Sequence, residues 1–200
     1  MATKLTEETI AIVGCGRIGS AIVRGLRARG VAPEAITIID RNPSKIAQLV
    51  ADFGIQSAPT VADAVKDKTI AVIAVKPLAV AAVLQEIAQA KARVGRDFAV
   101  VSVASGGPIA DLKKFLPGNI SFARAMPNLA ATLGASVTGI YAESETLAVR
   151  LRYLFESIGA AFVVERESDL DVVTAIGGSG PGYLFLLAEA FIEGAVESGL

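Results

Sequence analysis

The stretch "TIAIVGCGRIGSAIVRGL", Thr9 to Leu26, constrains the fold more than any other. Its first part is short, apolar and β-rich, and its second places Ile18, Ile22, Val23 and Leu26 at helical spacing. Between them Gly14-x-Gly16-x-x-Gly19 turns a strand straight into a helix. The same alternation recurs along the chain. "AITIID" (Ala35 to Asp40) reads as a strand, and "NPSKIAQLVADFG" as a helix opening after Asn42 with Pro43 in its first turn. "TIAVIAV" (Thr69 to Val75) and "FAVVSVA" (Phe98 to Ala104) are continuous apolar runs, as in strands of a parallel sheet covered on both faces. A helical pattern from Leu78 to Ala92 lies between those two. "ISFARA", "GASVTGIYA" and "AAFVVER" are later strand-like runs, with a helix over Glu145 to Ser157. Such alternation predicts an α/β fold with right-handed crossovers.

Composition narrows the chemistry. A net charge of −1 gives no electrostatic attraction for nucleic acid or an anionic membrane. Cys15 is the single cysteine, so no intrachain disulfide and no Cys-rich metal cage form, and no metal site is expected. The chain has no histidine, which excludes an acid, base or metal ligand of that type. Hydrophobic content is 52%, yet no uninterrupted apolar run reaches the roughly 20 residues of a membrane helix. The opening "MATKLTEET" lacks a signal-peptide core. These features predict a soluble, cytoplasmic protein with no nucleic-acid or membrane partner.

The glycine spacing carries a specific physical meaning. Gly14 permits the tight turn, Gly16 lets a pyrophosphate approach the backbone, and Gly19 allows close packing of helix on strand. The helix start, at Cys15, Arg17 and Ile18, offers free N–H groups and a partial positive charge to phosphates. A tight turn with small-residue packing would show the same three glycines. The strand before them, the helix after them and Asp40 at the end of the second strand favour dinucleotide binding. Within "DRNP", Asp40 suits the ribose hydroxyls of NAD, whereas Arg41 and the helix start after Asn42 suit the 2′-phosphate of NADP. The balance tips towards NADP, with NAD possible.

Further candidates sit where strands end, the edge at which open α/β sheets place ligands. "AVKP" puts Ala74, Val75, Lys76 and Pro77 there, and "SVASGGP" adds Ala104 and Ser105. "RAMPN" adds Asn128, although an Asn after a Pro is also a common turn residue.

Near Arg166 the pattern changes. The last 34 residues show no strand and read as a short helix, a Gly-rich break and a long apolar helix. Residues 1–166 are therefore assigned to a dinucleotide-binding domain and 167–200 to a partial helical domain. A unit of roughly 35 residues does not bury a core alone, so it must dock on further chain or on a second subunit. In "GGSGPG", Ser179, Gly180 and Pro181 are candidate substrate-binding residues, forming one wall of the ligand crevice: a helix beginning near Pro181 leaves N–H groups unpaired, and the glycines allow close approach. Simple capping plus close packing explains the same residues.

"VGCGRIGSAIVRGL", "IAVKP", "SVASG", "RAMPN" and "TAIGGSGPGYLFLLAEA", in this order, resemble the pyrroline-5-carboxylate reductase family from Thr9 to Leu200. The resemblance implies an N-terminal Rossmann-type domain followed by the start of an all-α dimerisation domain. It also implies NAD(P)H-dependent reduction of 1-pyrroline-5-carboxylate to proline, and a homodimer or higher homo-oligomer through the C-terminal helix. Leu129-Ala130 stands where the family usually has Thr-Pro, and Gly177 and Gly182 depart from its usual SGSGPAY. Family members continue through further helices whose Ser, Gly and Thr contact the substrate. The chain is thus expected to be truncated or shortened relative to the family, with the family's threonine beyond Leu200 and no catalytic residue assigned. Two other readings stay open: another imine or hydroxyacid reductase of this architecture, and a non-catalytic nucleotide-binding protein.

Overall fold

The computed structural model describes residues 8–90, 98–118 and 120–200. Most of the amino-terminal stretch read for a signal core lies outside the described residues, as do the last two residues of the helix expected over Leu78 to Ala92.

Eight strands form one sheet in the order β3-β2-β1-β4-β5-β6-β7-β8. They are β1 (Ile10–Val13), β2 (Ile36–Ile39), β3 (Gln56–Ser57), β4 (Ile70–Ile73), β5 (Ala99–Ser102), β6 (Ser121–Met126), β7 (Ser136–Ala142) and β8 (Gly159–Val163). Helices α1 (Arg17–Ala28), α2 (Pro43–Phe53), α3 (Val61–Ala64), α4 (Pro77–Gln89), α5 (Ile109–Phe115) and α6 (Glu145–Phe155) cover the two faces. Strands β1, β4 and β5 are buried along their whole length, which is why their sequences, Ser102 at the end of β5 apart, are apolar rather than alternating. Ile10, Ile12, Ile22, Leu26, Leu151 and Phe155 build the core on one face. Ala11, Ile73, Leu84, Leu112 and Phe122 build it on the other.

The first six strands pair in parallel, as the alternation predicts. β7 departs and runs antiparallel to β6, with Arg124 opposite Tyr141. The connection over 127–135 is shorter than the dozen or so residues that a parallel crossover needs. β8 returns parallel to β7 after the α6 crossover. β3, α3 and α5 were not read from the sequence, because the first two are a turn or less and α5 is a short segment lacking a long apolar repeat.

The carboxyl-terminal segment corrects one expectation. There is no break at the glycines. Helix α7 (Asp169–Val173), a π-turn (Thr174–Ser179) and α8 (Gly180–Glu197) run as one continuous helix. Ser179 has helical dihedrals (φ −90°, ψ −32°) and makes no capping hydrogen bond. The wide π-turn is where the helix absorbs Pro181, whose ring would crowd the carbonyl four residues back in a regular α-helix. Only the start of this helix is docked. Leu170 is buried, Val173 lies against Gly139 of β7, and Gly178 faces the methyl of Met126. No residue of α8 is buried. By length and composition alone, Asp169–Glu197 is apolar enough to cross a membrane.

Candidate functional site

The three glycines of the first turn have three distinct environments. Gly14 sits at φ +102°, and a Cβ there would stand 2.5 Å from the carbonyl oxygen of Ala74. A Cβ on Gly19 would overlap the carbonyl oxygen of Gly14, so α1 is seated directly on the strand end. Around Gly16 nothing lies within 4 Å of a Cβ position. The turn and the helix contact are thus filled by protein, and the middle glycine faces open space in front of the α1 N-terminus. The first N–H groups of α1, including those of Arg17 and Ile18, have no acceptor within the helix. This is the arrangement a pyrophosphate requires.

Asp40 is placed with more definition than its sequence position implies. Its Oδ2 accepts from the Cys15 backbone N–H at 2.6 Å, and its Oδ1 accepts from the Asn42 N–H at 2.8 Å. One carboxylate therefore ties the glycine turn to the β2–α2 turn. The Cys15 N–H is turned to Asp40 rather than to the open side. Burial pushes the Cys15 thiol up to about 12, and the Asp40 charge adds to the rise while Lys45 opposes it. The thiol is accordingly protonated at neutral pH. Asn42 caps α2, its side chain accepting from the N–H groups of Ser44 and Lys45. Arg41 is exposed.

Two cavities flank this region. A cleft of about 440 Å³ between α1 and α2 takes in Cys15, Gly16 and Arg17, together with Arg24, Lys45 and Thr132. A second, of about 150 Å³ between α4 and α5, takes in Pro77, Ser102, Ala104, Ser105 and Asp111. Ala74 is tied to β1 through its N–H to Val13, and Lys76 extends beyond β4 into solvent. Asn128 lies past β6, its N–H donating to Ser136 Oγ and its Oδ1 buried without a partner. Ser179, Gly180 and Pro181 line neither cavity. They lie inside a helix, so the free N–H groups expected before Pro181 are not there. Among the described residues no group of three or more His, Cys, Asp or Glu is arranged to hold a metal.

Two features escaped the sequence reading. Arg124, in β6, is buried and pairs with Glu167 at 3.0 Å. The same Glu167 oxygen accepts from the Ile109 N–H at 2.8 Å. One carboxylate ahead of the long helix thereby holds β6 and the start of α5. An Arg inside the otherwise apolar "SFARAM" was the available signal. The second feature is the row of cations Arg17, Arg24 and Lys45, of which the first two recur seven residues apart on α1.

Comparison with known proteins decides the family. A relative from Pseudomonas aeruginosa, a pyrroline-5-carboxylate reductase, is 34% identical over 199 residues, covering 98% of this chain and 72% of its own length. This chain belongs to the pyrroline-5-carboxylate reductase family. The family's Mycobacterium tuberculosis member is 38% identical over 96% of the chain, and the chain spans 66% of that relative. The structure of the Coxiella burnetii reductase superposes with a TM-score of 0.87 at 27% identity, covering 96% of this chain and 72% of that one. Two family models match. "NADP oxidoreductase coenzyme F420-dependent" covers residues 9–106, and "Pyrroline-5-carboxylate reductase dimerisation" covers 167–200. A Plasmodium falciparum pyrroline carboxylate reductase solved with NADP bound shares the fold, with a TM-score of 0.81 at 22% identity. The Rossmann-like domain followed by a helix matching the reductase dimerisation segment is therefore established.

Proposed function

We propose that this chain binds NADPH on the glycine turn and reduces 1-pyrroline-5-carboxylate to proline. The 34% identity to a reductase of that name over nearly the whole chain carries this reading, and the open face of Gly16 supports it. When bound, the nicotinamide cofactor would supply the hydride that the imine carbon accepts. The residues at hand fit such a group: Gly14 and Gly19 shape the turn, while Gly16, Arg17 and Ile18 meet the pyrophosphate. Asp40 fixes the turn, and Arg41 borders the adenosine end. Ala74, Val75, Lys76 and Pro77, with Ala104 and Ser105 and with Asn128 beyond them, form the carboxyl edge that would hold the remainder of the cofactor. The domain division falls at residues 166 and 167.

The chemistry asks for little acid catalysis. A pyrroline nitrogen is basic enough to arrive as the iminium, so no histidine is required to protonate an oxygen as hydride arrives. The protein's task is alignment of the cofactor with the imine carbon and retention of the carboxylate. The homo-oligomer forms as a dimer through the exposed apolar surface of α8, where Phe191 is 71% accessible in the single chain. A cytoplasmic location is in keeping with a reaction that consumes reduced nicotinamide. The test is NADPH oxidation by the full chain, followed at 340 nm with 1-pyrroline-5-carboxylate and by proline formed. One proline per NADPH is expected. Tight NADPH binding with no proline formed would overturn the reductase reading.

A further inference from the structure

Glu167, just ahead of α7, acts on two elements far from it in sequence. Its Oε1 accepts from Arg124 Nη1 at 3.0 Å and from the Ile109 N–H at 2.8 Å. Arg124 is 6% exposed and its Nε has no partner, so among the described residues Glu167 is the acceptor that holds its guanidinium. α5 has no side-chain cap of its own, because Pro108 stands at the cap position. The Glu167 carboxylate caps it from 58 residues away, with its negative charge at the positive end of the helix.

The segment between β5 and α5, residues 103–108, depends on that cap. Gly106 and Gly107 both take left-handed φ, +75° and +73°, and residues 105–108 are exposed. Two such glycines leave the backbone many paths, so the segment is shaped by how its ends are tied. At one end the Ala104 N–H donates to Ser102 Oγ at 3.3 Å, and at the other the Ile109 N–H donates to Glu167. Ala104, Ser105, Gly106 and Gly107 between them wall the smaller cavity. β6 is held twice from the carboxyl-terminal segment, at Arg124 by Glu167 and at Met126 by Gly178, just ahead of Asn128. One carboxylate therefore joins the start of the long helix to both stretches of the carboxyl edge that follow β5 and β6.

We infer that Glu167 is a positioning residue for the reduction. Through the Ile109 N–H and Arg124 it fixes the 103–108 segment and the turn at Asn128, and makes the shape of that edge depend on how the carboxyl-terminal helix is seated. The inference rests on the reductase reading of the carboxyl edge. Glu167 acts through Ala104, Ser105 and Asn128, not by touching the reacting atoms.

Residue-resolved amide hydrogen exchange, NADPH titration and NADPH-dependent proline formation by the full chain test it in Glu167→Ala, Glu167→Gln and Glu8→Ala. The last is the control, since it takes a carboxylate from Arg150 at the opposite edge of the sheet. Glu167→Ala should speed exchange at Ile109 by roughly tenfold or more, the loss of one charge-assisted hydrogen bond, and should speed it at Ala104, the far end of the segment, as well. Its kcat should fall by roughly 10- to 100-fold, as a misplacement of about 1 Å does, with NADPH affinity little changed because the glycine turn is intact. Glu167→Gln, which keeps an oxygen acceptor, should restore slow exchange at both positions and most of kcat. Glu8→Ala should alter neither Ala104 exchange nor kcat. If Glu167→Ala does not fold, Glu167→Met/Arg124→Met, which leaves no buried charge alone, carries the same expectations. Faster exchange confined to Ile109, or an equal fall of kcat in Glu8→Ala, overturns the positioning role. An unaltered chain that binds NADPH and forms no proline overturns the reductase reading, and exchange at Ala104 still decides whether Glu167 sets the segment.

Discussion

Gly14 and Gly16 stand two residues apart in one turn, and alanine should do opposite things at each. At Gly14 the φ of +102° is strained for any L side chain, at about 1–3 kcal/mol. The added Cβ also meets the Ala74 carbonyl at 2.5 Å and 2.8 Å, so β1 and the β4 end must separate by several tenths of an ångström. Crowding of that kind costs about 1–3 kcal/mol more. Gly14→Ala should therefore destabilise by about 2–6 kcal/mol and lower Tm by roughly 4–24 °C in a domain this size. Gly16 has φ −73° and ψ −166°, which alanine adopts freely, and no atom within 4 Å of its Cβ position. Gly16→Ala should leave Tm unchanged or slightly higher, since alanine reduces the freedom of the unfolded chain by about 0.4–1 kcal/mol. Its methyl, however, stands where a phosphate must approach the N–H groups of α1. Losing one charge-assisted hydrogen bond there is worth about 1.5–3 kcal/mol, or roughly 10- to 150-fold in NADPH affinity. Thermal melts and calorimetric titration of the two variants give four numbers. Unaltered NADPH affinity in Gly16→Ala would refute the placement of the pyrophosphate.

Other perturbations test other parts of the molecule. Glu167→Ala strips the buried Arg124 of its carboxylate and the Ile109 N–H of its acceptor; a loss of about 2–3 kcal/mol by urea denaturation is expected, and Glu167→Gln, which keeps an acceptor, should lose less. Glu8 is desolvated by burial, but its contacts with Arg150 and Thr69 outweigh that and hold its carboxyl below 4.5. Its contribution to stability is thus present above the unfolded value and lost as pH falls through the lower folded one, so the decline of the urea midpoint on acidification below 4.5 should be shallower in Glu8→Gln. Light scattering should find the unaltered chain at least dimeric and Leu184→Glu/Phe191→Glu monomeric with an unchanged fold by circular dichroism; a monomeric parent would exclude α8 as the contact.

The strands and helices that were legible were those with a strong period or an unbroken apolar run. β1, β4 and β5 announce themselves because burial on both faces leaves them apolar, save for Ser102 at the end of β5. The glycine turn was legible because each glycine answers a separate steric demand, and the structure shows those demands at Gly14, Gly16 and Gly19. The antiparallel turn into β7 was hidden, since strand direction depends on connection length and the Gly134 turn rather than on strand composition. "GGSGPG" misled because glycine and proline are read as local breakers, whereas here docking of Leu170, Val173 and Gly178 on β7 and Met126 outweighs local propensity. The Arg124–Glu167 pair joins residues 43 apart, a spacing with no local signature.

The π-turn gives the long helix a single place where its length can change cheaply. A regular α-helix advances about 100° per residue, so deleting one residue between Pro181 and Leu200 would swing every later side chain by that angle and scatter the outward apolar face. The turn at Thr174–Ser179 instead stores about one residue beyond the α-helical count. Removing one glycine from Gly177-Gly178, together with Pro181→Ala to take away the ring that a regular helix would crowd, would let it tighten into ordinary helix, with Leu170 still seated on β7 and Leu184, Leu187 and Phe191 still pointing as before. The segment acts as slack in an otherwise inextensible rod. It lets the contact with the sheet be adjusted in register independently of the subunit contact proposed for α8.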